Sequence, residues 1–170
     1  MFNDKVILIT GGTGSFGQKY SQILLENYSP KKIIIYSRDE FKQSVMFEKF
    51  DDPCFRYFIG DVRDRNRLNQ ACEGVDYIIH AAAMKHIDLM EQNPIAGCNV
   101  NVMGSLNVVE ASVINDVPIT IGVSTDKACL SESVYGASKY LMERVFMNSN
   151  NDTNRFALTR FANVAHSNGS

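Results

Sequence analysis

The chain has 170 residues, 45% of them hydrophobic and 21% charged, and its formal net charge at pH 7 is −2. Length and composition predict one folded globular domain and exclude a disordered protein. The small negative charge and the lack of a Lys/Arg-rich block argue against a binder of nucleic acids or anionic membranes. No apolar run approaches the ~20 residues that cross a bilayer, and the N-terminus lacks a signal-peptide pattern, so we expect a cytoplasmic protein without membrane insertion.

The cysteines and histidines show no metal-binding pattern. The four cysteines form no C-x-x-C pair, and the three histidines do not share a helix face at ligand spacing. The sequence therefore predicts free thiols, no disulfide framework and no metal site.

Short β-branched runs alternate with longer segments of helical period along the chain. The predicted strands are KVILIT, KKIIIYS, FRYFIG, DYIIHAAA, ITIGVST and FALTRF. Long helices are predicted at about residues 94–115, opening with Pro94, and at about residues 134–147. Such alternation is typical of βαβ units. We predict an α/β fold with a Rossmann-like doubly wound parallel sheet of about six strands in the order 3-2-1-4-5-6.

The first predicted strand runs directly into the glycine-rich turn TGGTGSFG. Without side chains in such a turn, the backbone can approach a pyrophosphate at the N-terminus of the following helix. A plain tight turn is the competing interpretation. We assign the turn to a dinucleotide cofactor, with the binding residues Gly11, Thr13, Gly14, Ser15, Phe16 and Gly17.

The end of the second strand reads Ser37-Arg38-Asp39-Glu40, with Lys42 just beyond. Arg38 and Lys42 suit the 2′-phosphate of NADP, whereas an NAD enzyme would offer a carboxylate to the ribose 2′-hydroxyl. NADP is therefore preferred over NAD, with Ser37 as a further contact. The same residues also fit a capping box in which Ser37 and Glu40 start the second helix.

Two further strand ends are expected to face the cofactor. Asp61 and Val62 follow the third strand, where a carboxylate and its neighbouring backbone could meet the adenine amino group, although Asp61 would equally serve as a helix cap. The small residues Ala81, Ala82 and Ala83 end the fourth strand and leave room for a cofactor, or simply pack tightly. We include all five among the cofactor-binding residues.

The segment STDKACLSESVYGASK, residues 124–139, concentrates proton-handling groups. Tyr135 and Lys139 lie four residues apart on one helix face, so the Lys139 ammonium is expected to lower the pKa of the Tyr135 phenol. Such a phenol can act as a base near pH 7, and Thr125 could bond the same substrate hydroxyl. Alone, Tyr-x-x-x-Lys is more often a core Tyr with a surface Lys. Together with the glycine-rich turn, it predicts a catalytic site at the carboxyl edge of the sheet, where Tyr135 and Lys139 also bind the cofactor.

Six motifs follow one another in the chain: TGGTGSFG, YSRDEFKQ, AAAMKH, STDKA, YGASK and RFANV. Together they resemble the extended short-chain dehydrogenase/reductase superfamily, and within it the inverting UDP-N-acetylglucosamine 4,6-dehydratases of bacterial polysaccharide and flagellin-sugar biosynthesis. The resemblance implies an NADP-dependent dehydratase that acts on a UDP-sugar. Related 4-epimerases and reductases are the alternatives within the superfamily.

The resemblance also implies roles for individual residues. Tyr135 would take the proton of the sugar 4-hydroxyl, Asp126 would act as the acid, and Lys127 would act as the base of water elimination. These roles require a raised pKa for Asp126 and a lowered pKa for Lys127, and the competing interpretation is a solvated surface pair. Lys85 and Asn163 match substrate-side residues of the family, although an exposed lysine and a turn asparagine would look the same.

The chain departs from the family pattern at several places. Ser131 stands where a loop proline is usual, Ala162 replaces a glycine, and Asn168 replaces an arginine suited to a nucleotide-sugar contact. The family's smaller C-terminal substrate domain is missing, so residues 1–170 are expected to form one NADP-binding domain that carries the catalytic segment. A non-catalytic NADP-binding module is therefore a second hypothesis. The resemblance also implies a homo-oligomer.

Overall fold

A computed structural model describes residues 1–164 and contains a six-stranded sheet. Every strand pair is parallel, and the order β3-β2-β1-β4-β5-β6 confirms the predicted doubly wound, Rossmann-like topology. The strands are β1 Val6–Thr10, β2 Lys32–Ser37, β3 Phe55–Ile59, β4 Tyr77–His80, β5 Ile119–Thr125 and β6 Arg155–Phe161. Each strand falls within a predicted run or extends it by one residue.

Helices connect the strands. They are α1 Ser15–Asn27, α2 Glu40–Phe50, α3 Arg65–Ala71, α4 Ile87–Gln92, α5 Pro94–Cys98, α6 Gly104–Ile114 and α7 Val134–Asn148. The helix predicted at residues 94–115 is present, but a π-helical segment, Asn99–Met103, joins α5 to α6. The helix predicted at residues 134–147 is α7.

Alternate residues of the strands build two apolar layers, one on each face of the sheet. Ile7 and Ile9 of β1 share a cluster with Leu24 of α1. Leu8, between them, shares a second cluster with Phe146 of α7. The two-residue period of a strand sends neighbouring side chains to opposite faces, so helices must cover both. The carboxyl ends of the strands remain at one open edge, where α/β sheets bind ligands.

The start of α2 differs from the expected capping box. The N-cap is Asp39, whose side chain accepts a hydrogen bond from the Lys42 backbone N–H at 2.9 Å. The Ser37 Oγ is instead 2.9 Å from the Thr13 Oγ1, so the capping-box prediction for Ser37 and Glu40 is wrong. Asp39 is the stronger cap because its carboxylate also favours the positive end of the helix dipole.

The four cysteines are free, as predicted, with Cys98 and Cys129 exposed. None of the helices in residues 1–164 has the length and hydropathy to span a bilayer. Within the same residues, no group of three His, Cys, Asp or Glu side chains is placed to hold a metal ion.

Candidate active site

The glycine-rich turn follows β1 and packs against the chain that leaves β4. Gly11 has a φ of +66°, and a Cβ there would lie 2.8 Å from the Ala82 backbone. A Cβ at Gly17 would overlap the backbone of Gly12, and Gly14 is the N-cap of α1. Glycine is therefore required at positions 11 and 17. The bare backbone at the start of α1 meets the steric requirement of a pyrophosphate.

Other residues of the turn connect it to its surroundings. The Thr13 Oγ1 bonds the Ser37 Oγ and ties the turn to the end of β2. Ser15 begins α1, so its backbone N–H belongs to the first helical turn. Phe16 stacks on Tyr20 with ring centroids 5.7 Å apart, and both rings line an apolar cleft of about 280 Å³ with side chains of β4, β5 and β6.

Two exposed cations stand near the end of β2. The Arg38 Nη1 is 3.5 Å from the Asp61 Oδ2, and the Lys42 Nζ is 3.4 Å from the Asp39 Oδ2. Because ion pairs between exposed side chains are weak, both cations can turn to a phosphate. The Asp39 carboxylate, by contrast, is engaged as the cap of α2.

Asp61, just after β3, is paired with Arg63, which the sequence did not predict. Its carboxylate accepts hydrogen bonds from the Arg63 backbone N–H at 2.9 Å, the Nε at 3.0 Å and the Nη2 at 2.6 Å. Burial alone would raise the pKa of Asp61, but the Arg63 hydrogen bonds outweigh it and lower the pKa. The helix-cap alternative for Asp61 is wrong because Asp64 caps α3. Val62 is buried between them.

A chain of buried hydrogen bonds supports the alanines that follow β4. The Ala82 N–H donates to the Thr10 Oγ1, which lies 2.7 Å from the His80 Nδ1. The His80 Nε2 is 2.9 Å from the Ser105 Oγ, which donates to the Asn101 carbonyl oxygen. One arrangement of protons satisfies every group, with Thr10 donating to Nδ1 and Nε2–H donating to Ser105. His80 is therefore neutral, and burial lowers its pKa to about 3.

The catalytic segment forms one hydrogen-bonded group at the carboxyl ends of β5 and β6. The Thr125 Oγ1 donates to the Asp126 Oδ1 at 3.0 Å. The Lys127 Nζ is 3.4 Å from the same oxygen and donates to the Asn163 Oδ1 at 3.0 Å. The phenol of Tyr135, at the start of α7, lies close enough to Thr125 for the Thr125 side chain to act against the rise in its pKa. The structure therefore brings five predicted residues together.

The protonation states of this group differ from the expectation. Burial raises the pKa of the Tyr135 phenol, and the Thr125 side chain offsets only part of the rise. The pKa of Asp126 is lowered, because Thr125 and then Lys127 donate hydrogen bonds to its carboxylate. The predicted low pKa of the phenol and high pKa of Asp126 are therefore wrong for the structure as it stands. The Asp126–Lys127 pair is partly exposed, so it can rearrange around a substrate at little cost.

Lys139 points into the interior rather than toward the Tyr135 phenol. Its Nζ donates to the Val123 carbonyl oxygen at 2.6 Å and is 3.2 Å from the Met142 Sδ. Burial lowers the pKa of this ammonium to about 8. The prediction that Lys139 lowers the pKa of Tyr135 is wrong in this arrangement, because the ammonium is bonded to the backbone of β5 instead.

The other predicted site residues lie outside this group. Lys85 is exposed between β4 and α4, and within residues 1–164 no hydrogen bond or ion pair joins it to Lys127 or Asn163. The alanines at 81–83 follow β4, next to the glycine-rich turn. Asn168, one of the three departures from the family pattern, lies outside the described residues.

Sequence reasoning missed several residues that support the site. Glu143 is buried on α7 and follows Lys139 by four residues, as Lys139 follows Tyr135, so the spacing was a usable signal of a shared face. Asn101 is buried in the π-helical segment and donates to the Met84 carbonyl oxygen, for which the sequence carried no signal.

The sheet order, the glycine-rich turn after β1 and the Tyr-x-x-x-Lys helix after β5 define an extended short-chain dehydrogenase/reductase. The sequence model of the family described as polysaccharide biosynthesis protein matches residues 7–170, and the chain belongs to this family.

Three known proteins illustrate the relationship. The chain is 53% identical over 174 residues to a UDP-N-acetylglucosamine 4,6-dehydratase (inverting) of Campylobacter jejuni, covering 100% of this chain and 52% of that protein. The chain thus spans about half the length of the curated relatives it matches. Pen from Bacillus thuringiensis matches with a TM-score of 0.97 and 35% identity, over 100% of this chain and 54% of its own. DesIV, a dTDP-glucose 4,6-dehydratase from Streptomyces venezuelae solved with NAD bound, matches with a TM-score of 0.83 and 25% identity, over 91% of this chain and 55% of its own. The predicted resemblance to the inverting dehydratases is confirmed.

Proposed function

We propose that this chain provides the NADP-binding and catalytic part of a 4,6-dehydratase that acts on UDP-N-acetylglucosamine and inverts carbon 5, in bacterial polysaccharide or glycan biosynthesis. The observation that carries the proposal is the hydrogen-bonded group of Thr125, Asp126, Lys127 and Asn163, with the Tyr135 phenol next to it. It lies at the sheet edge where open α/β folds bind ligands. The Campylobacter jejuni relative is a UDP-N-acetylglucosamine 4,6-dehydratase (inverting), which supports the substrate class.

The described residues fit an NADP cofactor. The glycine-rich turn offers bare backbone to a pyrophosphate, because a Cβ at Gly11 would meet the Ala82 backbone. Arg38 and Lys42 are exposed cations that suit a 2′-phosphate. An NAD enzyme would offer a carboxylate to the ribose 2′-hydroxyl, but the Asp39 carboxylate is engaged as the cap of α2. When bound, NADP⁺ accepts a hydride from the sugar and later returns it.

In the first step, Tyr135 removes the proton from the sugar 4-hydroxyl. Burial disfavours the phenolate, and Thr125 can favour it by turning its hydroxyl hydrogen from the Asp126 carboxylate to the phenol oxygen. The phenol therefore needs a nearby positive charge to ionise near neutral pH. We assign this role to the buried ammonium of Lys139, one turn further along α7, which would have to turn from the Val123 carbonyl oxygen toward the phenol.

In the second step, the new 4-ketone acidifies the hydrogen on carbon 5. Lys127 takes that proton, while Asp126 gives a proton to the departing 6-hydroxyl, which leaves as water. Asp126 can hold that proton only after its contacts with Thr125 and Lys127 are replaced, because both lower its pKa. A sugar that inserts between the two side chains and excludes water would have this effect. Protonation of carbon 5 from the opposite face then inverts that centre.

A non-catalytic NADP-binding module is the second candidate. One observation favours it: the side chains of Asp126 and Asn163 are exposed. Elimination chemistry usually proceeds in a site that excludes water. A 4-epimerase or a reductase would use the same Tyr135 and cofactor without losing the 6-hydroxyl.

The discriminating experiment incubates the chain with UDP-N-acetylglucosamine and NADP⁺ and follows the sugar by NMR. The expected product is a 4-keto-6-deoxy sugar with inverted configuration at carbon 5. A parallel arm uses a chimera in which residues 1–170 replace the matching half of the Campylobacter jejuni relative. A 4-epimer without loss of the 6-hydroxyl would indicate an epimerase. Tight NADPH binding without product in either arm would support the binding module.

The assignment of Lys127 as the base is tested with Lys127→Ala in the active form, which is whichever of the chain and the chimera gives product. Lys32→Ala, at the amino end of β2, is the matched control. We expect Lys127→Ala to slow elimination by roughly 10²-fold or more, and Lys32→Ala to have no effect. An undiminished rate in Lys127→Ala removes Lys127 from the mechanism.

Calorimetry with NADP⁺ and NAD⁺ tests the cofactor preference, which should weaken in Arg38→Ala.

A cytoplasmic homo-oligomer is part of the same proposal. NADP and nucleotide sugars are metabolites of the cytoplasm, and exposed apolar side chains on α6 and α7 favour self-association. They include Val113, Ile114, Tyr140, Leu141 and Met147. Light scattering on the purified protein should give a mass above 19.0 kDa.

A further inference from the structure

A buried carboxylate lies behind the proposed active site. Glu143 of α7 has only 3% of its surface exposed. Carboxylates are seldom buried to this extent unless they are paired and hydrogen-bonded. Glu143 follows Lys139 by four residues and Tyr135 by eight, so the three side chains start from one face of the helix.

Glu143 joins three elements that carry the proposed catalytic residues. Its Oε1 accepts hydrogen bonds from the Ser124 Oγ at 2.6 Å and from the Arg160 Nε at 2.8 Å. Its Oε2 accepts from the Arg160 Nη2 at 2.6 Å. Ser124 directly precedes Thr125 in β5, and Arg160 lies in β6, three residues before Asn163. The carboxylate therefore holds α7 against the carboxyl ends of both strands.

The same carboxylate is the countercharge of the buried Lys139 ammonium. Within residues 1–164, Lys139 makes no ion pair, and its oxygen partner is the Val123 carbonyl. The charged and titratable groups that face it are Glu143 on its own helix, His80 on β4 and, behind Glu143, Arg160 on β6. His80 is neutral and Arg160 is a cation, so the negative charge that favours the ammonium comes from Glu143.

We propose that Glu143 is a positioning residue of the active site, which acts as the counter-ion of Lys139 and fixes Ser124 and Arg160 at the ends of β5 and β6. The inference rests on the proposed function, because Lys139 matters as the cation that assists Tyr135. Glu143 itself touches neither the Tyr135 phenol nor the Asp126–Lys127 pair. Its effect on catalysis passes through Lys139 and the two strand ends.

The charge and the shape of Glu143 can be separated by substitution. Glu143→Gln keeps the length of the side chain and can still accept from Ser124, but it removes the negative charge. Arg160 is half exposed and can turn to solvent in that variant. Lys139 cannot turn out, so its ammonium loses its attraction and its pKa falls below the parent value of about 8. Glu143→Asp keeps the charge with a shorter side chain.

The test follows the ionisation of Lys139 directly, without substrate. Protein labelled with ¹³C at the lysine Cε is titrated by NMR, and the Lys139 resonance is assigned by its loss in Lys139→Met. We expect the midpoint to fall by about one to two pH units in Glu143→Gln and by less in Glu143→Asp. The control is Glu110→Gln, which removes a carboxylate paired with Arg65 on the outside of α6 and should not move the midpoint.

Two outcomes overturn the inference. One is an unchanged midpoint in a folded Glu143→Gln variant, and the other is an equal shift in Glu143→Asp, which would show that charge is not the cause. Should Glu143→Gln not fold, the double variant Glu143→Gln/Arg160→Gln removes the unpaired cation as well, and an unchanged Lys139 midpoint in that variant overturns the inference. The titration needs no turnover. A failed dehydratase assay therefore leaves this test intact, and a failed titration leaves the dehydratase assay intact.

Discussion

The glycine-rich turn and the catalytic segment share one edge of the sheet, but they are built by different means. The turn is shaped by backbone, and Gly11 leaves no space for a Cβ beside Ala82. The catalytic segment is shaped by side chains, and the Asp126–Lys127 pair is partly exposed. Folding alone therefore completes the shape of the turn. Under the proposed mechanism, the proton-transfer groups reach their working protonation states only when a substrate replaces their present contacts.

The largest effect should come from removing one oxygen in the catalytic segment. Tyr135→Phe deletes the proposed base of the first step, and we expect kcat to fall by roughly 10²–10⁴-fold in the active form. NADP binding should be retained, because the cradle is formed by backbone elsewhere. Tyr140→Phe, at an exposed position of the same helix, is the control. A kcat within a few fold of the parent would remove Tyr135 from the mechanism.

A single methyl group added to the glycine-rich turn should lower the stability of the fold and prevent NADP binding. Gly11→Ala combines a positive φ with a contact of 2.8 Å to the Ala82 backbone, and we expect a loss of about 2–4 kcal/mol in the free energy of unfolding together with loss of NADP binding. Gly74→Ala is the matched control, because Gly74 has a φ of +68° and open space around its Cβ. It should lose only about 1 kcal/mol. Equal losses, measured by urea unfolding, would contradict the steric account.

His80, in the strand between the two regions, makes stability depend on pH. Its pKa is about 3 in the folded chain and 6.5 in the unfolded chain, so the unfolded chain binds the proton first as the pH falls. The contribution of neutral His80 to the free energy of unfolding should be fully present above pH 6.5. Below that pH it should decline by up to ~1.4 kcal/mol per pH unit. Urea unfolding between pH 6.5 and 5 measures this slope before most carboxylates titrate. His86→Gln, at an exposed position, should keep the slope and His80→Gln should lose it.

The smallest effect on stability should come from the exposed acid. Asp126→Asn breaks the contact with Lys127, and we expect no measurable change in the urea midpoint, since exposed ion pairs contribute little. Activity should nevertheless fall, because the acid of the elimination step is lost. A clear loss of stability would show that the pair is structural, and the contrast between the two regions would weaken.

The hydrophobic runs predicted the fold well because their periods are local properties of the chain. Runs such as ITIGVST became strands, and residues 134–147 became α7. The glycine-rich turn was equally predictable from the sequence, since only glycine tolerates the φ and the packing of Gly11. The start of α2 was not, because two acceptors, Ser37 and Asp39, could both cap a helix. A contact with Thr13, distant in sequence, decided between them.

By itself, the sequence determined the alternation of strands and helices, the cofactor turn and the set of residues at the carboxyl edge of β5 and β6. Only the tertiary structure decided what each charged side chain faces. Lys139 bonds the Val123 carbonyl, and Glu143 of α7 pairs with Arg160 of β6. The reason is physical. Backbone conformation follows from short-range sterics and periodicity, whereas ionisation depends on burial and on charges that residues far apart in the chain bring together.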